Sequence, residues 1–143
     1  MRPDSSSSTS TAPMSVAEPR TPATRGPMVP VPYRVVERFD EFDDTVTLRM
    51  VPDGDALPRP RPGQFNMLWA FGIGEAPISV AGVEDATLVH TVRAVGAVTR
   101  ALCAAGPGTV IGARGPFGVG WDMDAARGGD VLVFGGGLGI APV

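Results

Sequence analysis

The chain has no lysine: all twelve of its basic residues are arginine, against fifteen Asp and Glu, for a net charge of −3. That absence excludes a lysine Schiff base and a phosphate-loop lysine. The acidic balance argues against a nucleic-acid partner, which would call for a basic face. Cysteine is nearly absent too. Cys103 alone cannot form an internal disulfide, and without further ligands it cannot hold zinc or an iron–sulfur cluster. Set among Ala101, Leu102, Ala104 and Ala105, it reads as a small buried apolar residue rather than a nucleophile. No stretch approaches the ~20 apolar residues of a membrane helix, and no apolar core follows Met1-Arg2 as it would in a signal peptide. The expectation is a cytoplasmic protein without a membrane span.

What is present suffices for one domain plus a tail: 143 residues, 43% of them hydrophobic. Residues 1–27 are rich in Ser, Thr and Pro and poor in large apolar groups, so they read as a disordered tail. From Met28 the texture changes. Short β-rich runs at 32–37, 45–50, 64–71, 77–81, 86–93 and 109–114 are separated by Gly, Pro and Asp turns, with one short helix at 98–104. Six strands and one helix predict an antiparallel barrel or sandwich. The acidic run at 39–44 reads as a solvated turn, because it lacks the ligand spacing of a calcium loop.

The stretch 91–102 carries the clearest local chemistry. A strand ends at Arg93, Gly96 breaks it, and a helix begins at Val98 with Thr99 in its first turn. Unpartnered first-turn N–H groups, the Thr99 hydroxyl and the Arg93 fork together suit an anion such as a phosphate. The alternative is a plain strand-to-helix connection with an exposed arginine. Further on, Val131-Leu132-Val133-Phe134 is a continuous apolar run of the kind buried on both faces of a parallel sheet. The cluster Gly135, Gly136, Gly137, Gly139 and then Pro142 follows it, as at the entry to a nucleotide-binding βα unit. A parallel sheet needs a crossover and a second strand, so 130–143 reads as the start of a second domain and the chain as a piece of a larger design.

In order, PGQF (62–65), PISVAG (77–82), HTVRAVGAVTRAL (90–102), GPFGVGW (115–121) and VFGGGLGIAP (133–142) resemble the ferredoxin–NADP reductase superfamily. Within it, they are most similar to the flavin subunits of the hydrogenase/sulfur-reductase gamma and dihydroorotate dehydrogenase electron-transfer types. The resemblance implies a six-stranded antiparallel Greek-key barrel binding FAD over 28–124. It also implies the first strand of a Rossmann-like NAD(P) domain over 130–143. By the same resemblance, Pro77, Ile78 and Ser79 face the flavin ring, and Thr91, Val92 and Arg93 run along its ribityl and phosphate portion. Gly96, Val98 and Thr99 form the pyrophosphate turn, and Gly135, Gly136, Gly137 and Gly139 open the NAD(P)H site. Many relatives carry an arginine just before the PIS motif. Ala76 stands there instead, which leaves Arg93 to supply that charge.

The implied activity is electron transfer between NAD(P)H and a redox partner protein or subunit, with no catalytic side chain, no metal and no iron–sulfur ligands in this chain. His90, the only histidine, reads as structural or flavin-packing, because hydride transfer between nicotinamide and flavin needs no protein base. The alternative is a flavin-binding but catalytically silent fragment, or a barrel that docks onto a partner.

Overall fold

A computed structural model describes Gly26 and residues 28–142. The expected disordered tail lies almost wholly outside the described residues. Seven strands form one antiparallel sheet: β1 (Val31–Phe42), β2 (Thr45–Pro52), β3 (Phe65–Ala70), β4 (Gly74–Ser79), β5 (Gly82–Glu84), β6 (Thr87–Arg93) and β7 (Val110–Phe117). Among the described residues one α-helix, α1 (Ala97–Cys103), connects β6 to β7, and one 3-10 turn covers Gly137–Ile140.

Period-two alternation explains why these segments are strands. Val31, Tyr33 and Val35 of β1, Val46, Leu48 and Met50 of β2, and Leu88 and Val92 of β6 all point into one core. Leu68 of β3 and Ile111 and Ala113 of β7 complete it, with Leu102 of α1 packed on top. Their partners in alternation face outward and are polar or only half-covered. Cys103 is partly buried against this core, with its Sγ 3.4 Å from the carbonyl of Val92 and its thiol pushed up by burial.

The strand order is β4-β3-β7-β1-β2-β6-β5. The two edge strands, β4 and β5, are consecutive in the chain, with only Val80 and Ala81 between them. Three residue steps span at most about 11 Å, so opposite edges of the sheet meet at that corner. Val80 N–H donates to Gln64 O (3.1 Å) and Ala81 N–H to Val89 O (2.9 Å), which pins the corner to both sides. The sheet is therefore strongly curled, yet its ladder is not closed.

Three sequence expectations change. The strand count rises to seven, because Gly82–Glu84 pairs with β6 (Gly82↔Val89, Val83↔Leu88); three residues are too few to show a pattern. The acidic run is not all turn, since β1 continues through Phe42 and only Asp43 and Asp44 turn. The apolar run Val131–Phe134 is not a strand: it is irregular and exposed. A strand exists only where a neighbour takes up its N–H and C=O groups, and among the described residues none lies beside it.

Candidate functional site

Strand β6 has its odd-numbered side chains, Thr91 and Arg93 among them, on the outer face, because Leu88, His90 and Val92 turn inward. Strand β4 exposes Pro77 and Ser79. These outer faces adjoin where the sheet's edges meet, and residues of the 138–142 segment fold back over them. Pro77, Ile78, Ser79, Thr91, Arg93, Thr99 and Gly139 thus line one cavity of about 380 Å³, together with Val95 and Leu138. A second cavity of about 370 Å³ adjoins it across Thr91 and Arg93 and includes Gly137, Phe42 and Asp44.

Other expected positions do not line either cavity. Val92 is fully buried, with its side chain in the core. Val98 packs against the core and stands close to Gly74. Gly96 shapes the turn, while Gly135 and Gly136 precede the 3-10 turn at Gly137.

Arg93 is not free. Its Nε donates to Asp44 Oδ2 (2.7 Å), and the guanidinium holds the Asp44 carboxyl below the usual range. The contact fixes one edge of the fork and leaves the terminal nitrogens directed by it. Forty-nine residues separate the pair, so no local signal in the sequence announces it. Thr91 Oγ1 lies 2.9 Å from Thr47 Oγ1 across the β2–β6 pair.

Thr99 is engaged within its own turn. Its hydroxyl accepts the N–H groups of Val95 (3.0 Å) and Gly96 (2.9 Å) and donates to Gly96 O (3.2 Å). All of its capacity is spent inside the turn, in the manner of the return half of a capping box. It sets the shape of the turn and has no hydrogen left to donate to a phosphate.

His90 sits at the seam beneath this cavity. Its Nδ1–H donates to Ser79 O (2.8 Å), and its Nε2 accepts from Asn66 Nδ2–H (3.2 Å). A carbonyl only accepts, so Nδ1 carries the proton and the ring is neutral. Complete burial lowers its pKa to about 4, with desolvation the leading cause and the bond to Ser79 opposing it. A histidine so placed ties β6 to β4 where no ladder joins them, and holds the backbone of Ser79 from behind. Asn66 Oδ1, on the other side of the ring, is buried without a hydrogen-bond partner.

No family model matches the sequence. The probable dihydroorotate dehydrogenase B (NAD(+)) electron transfer subunit of Methanopyrus kandleri is 36% identical over 114 residues, covering 80% of this chain and 42% of the relative. The sulfhydrogenase 2 gamma subunit of Pyrococcus furiosus is 37% identical over 84 residues, covering 58% of this chain and 29% of that one. This chain is a homologue of those subunits. It spans about two fifths of the length of the first of them. Among solved structures, the NADH-dependent reduced ferredoxin-NADP oxidoreductase aligns with a TM-score of 0.57 at 22% identity, covering 63% of this chain and 34% of that one. That likeness concerns the fold. For a homologue of these subunits, the cavity between β4 and β6 is the candidate site, because it gathers the PIS motif and the end of the TVR motif on one surface.

Proposed function

We propose that this chain is an FAD-binding electron-transfer module, working between NAD(P)H and a redox partner protein. The observation that carries the reading is the convergence of Pro77, Ile78, Ser79, Thr91 and Arg93, from two motifs far apart in sequence, on one cavity. Homology to electron-transfer and gamma subunits supports it. In this reading the curled sheet serves as the flavin-binding barrel, and residues 130–143 open an NAD(P) domain to which Gly135, Gly136, Gly137 and Gly139 belong.

The residues present suit the cofactor. Two adjoining cavities of about 380 and 370 Å³ give an elongated dinucleotide room to lie across Thr91 and Arg93. When bound, the flavin supplies the hydride acceptance and onward electron transfer that no side chain here provides. The chain's own residues bind and orient. Ser79 and the backbone of Pro77 and Ile78 would hydrogen-bond the ring, and His90 would hold that backbone rigid. Arg93, oriented by Asp44, would meet the pyrophosphate with its terminal nitrogens. Thr99 would keep the turn in shape beside it. No group is asked to take a proton.

The test is to saturate the purified chain with FAD, desalt it and measure retained flavin. Retention is expected, with Arg93→Ala weakening FAD binding about ten- to a hundredfold, the equivalent of ~1.5–3 kcal/mol for a charge-assisted bond. Folded protein that stays colourless would overturn the reading. Anaerobic mixing with NADH and then NADPH reads the donor side by flavin bleaching.

A further inference from the structure

The alternation Pro58, Arg59, Pro60, Arg61, Pro62 has no part in the site above, yet its last four residues form one wall of a separate cavity of about 410 Å³ beside the β4–β5 corner. Its opposite walls are Val80 to Val83 and the pair Trp121 and Met123, and it shares only Pro142 with the cavity between β4 and β6. Each proline locks φ at one position, and Pro60 is buried, which anchors the run. Trp121 N–H donates to Pro62 O (2.9 Å). The indole lies so close to Gly63 that a Cβ there would stand 2.5 Å from its Cδ1, and a Cβ on Gly120 would stand 3.0 Å from the Cβ of Arg61. Two arginines thus stand on a stiff rail fastened to an indole.

Charge sets this cavity apart. Arg34, Arg38, Arg49, Arg93, Arg114 and Arg127 each pair with a carboxylate. Arg59 and Arg61 have no carboxylate partner among the described residues, and no acidic side chain lines their cavity. Arg59 makes long contacts to Val83 O (3.4 Å) and Asp85 O (3.5 Å). Two arginines that line one concavity of ligand size, with no carboxylate partner among the described residues, suit an anionic ligand. Pre-ordering by proline removes part of the entropy cost of using them.

We infer that this cavity binds a phosphate-bearing ligand of mononucleotide class, with Arg59 and Arg61 on the phosphate and Trp121 against the base. The inference stands apart from the flavin reading, since its residues are different ones. Calorimetric titration of the FAD-saturated chain with AMP, adenosine and inorganic phosphate tests it. AMP is expected to bind saturably. Arg59→Gln and Arg61→Gln should each weaken it about tenfold or more, and Trp121→Leu about fivefold or more. Adenosine should bind at least about tenfold more weakly than AMP, for want of the charge-assisted contacts. AMP should not displace the bound FAD, and the Arg59 and Arg61 variants should retain FAD like the parent.

AMP binding that survives in the Arg59→Gln/Arg61→Gln double variant, or that displaces the bound FAD, would overturn the assignment. So would the lack of saturable binding in the millimolar range. Inorganic phosphate binding as tightly as AMP would remove the base from it and so reject the mononucleotide class. If FAD fails to bind, the flavin proposal falls, and the AMP titration with the same variants still decides this one.

Discussion

The curled sheet and the segment after Trp121 contain similar apolar residues and treat them in opposite ways. In β1, Val31, Tyr33 and Val35 are 7%, 1% and 0% exposed; in the later segment, Val131, Leu132, Val133 and Phe134 are 60%, 80%, 49% and 87% exposed. Composition does not distinguish the two. The difference is that the start of β1 has β2 on one side and β7 on the other to take up its backbone groups, with a core beneath it; farther along, beyond the β7 pairing, Phe39 and Phe42 of the same strand are 50% and 76% exposed. Among the described residues the later segment has neither strands beside it nor a core beneath it. Apolar content supplies a driving force of about 1.5–3 kcal/mol per large side chain only when something covers it. Hydrophobic sequence is a request for a partner, and tertiary structure decides whether it is met.

The largest expected effect tests that contrast directly. Leu48→Ala or Leu68→Ala, in the core, should cost about 2–5 kcal/mol, read as a lowered urea midpoint. Leu132→Ala should stay within about 0.5 kcal/mol, as surface changes do. Equal losses at both places would mean that the later segment is covered in solution and that the contrast is false.

A second test works through acid. The unfolded chain protonates His90 at its ordinary value of 6.5, whereas the folded chain resists until about 4. Between those values the unfolded state binds more protons, so stability is fully present above pH 6.5 and falls as pH drops toward 4. The loss is on the order of 3 kcal/mol. Urea unfolding at several pH values should show His90→Gln with a flatter dependence over this window than the parent. Parallel curves would mean that the ring is not buried as described.

A smaller effect is expected at Gly115, whose φ is +146 and whose missing Cβ would stand 2.5 Å from Asn66 Oδ1. Gly115→Ala should cost about 1–3 kcal/mol through backbone strain at a position that side chains avoid. Gly136→Ala, in the later segment where a Cβ meets nothing within 4 Å, serves as the silent control. A silent Gly115→Ala would show the β3–β7 end of the sheet to be as loose as the segment.

The elements most legible beforehand were those with strong alternation or strong punctuation. Residues 45–50 and 86–93 read as strands because β-branched and apolar positions repeat every second residue, and both are strands, β2 and β6. That same alternation also dictates that Val92 faces inward with Leu88 and His90. β5 was illegible: Gly82-Val83-Glu84 has no pattern, and only the neighbouring β6 makes it a strand. The Thr99 hydroxyl was legible as belonging to the turn. That it turns back to the Val95 and Gly96 amides depends on the angle at which the chain enters α1.

By itself, the sequence determined the type of most elements, the inward and outward faces of the alternating strands, the motifs of the candidate site, and the homology that those motifs carry. All of these depend on neighbours a few residues apart, where backbone geometry is narrow and periodicity speaks. Tertiary structure alone decided that β4 and β5, at opposite edges of the sheet, meet at a two-residue corner. It also decided that Asp44 would hold Arg93, and that His90 would reach Ser79 across the open seam. Those choices unite groups 11 to 49 residues apart, through the curl of the sheet and the exclusion of water from its core, and no local rule in the chain encodes them.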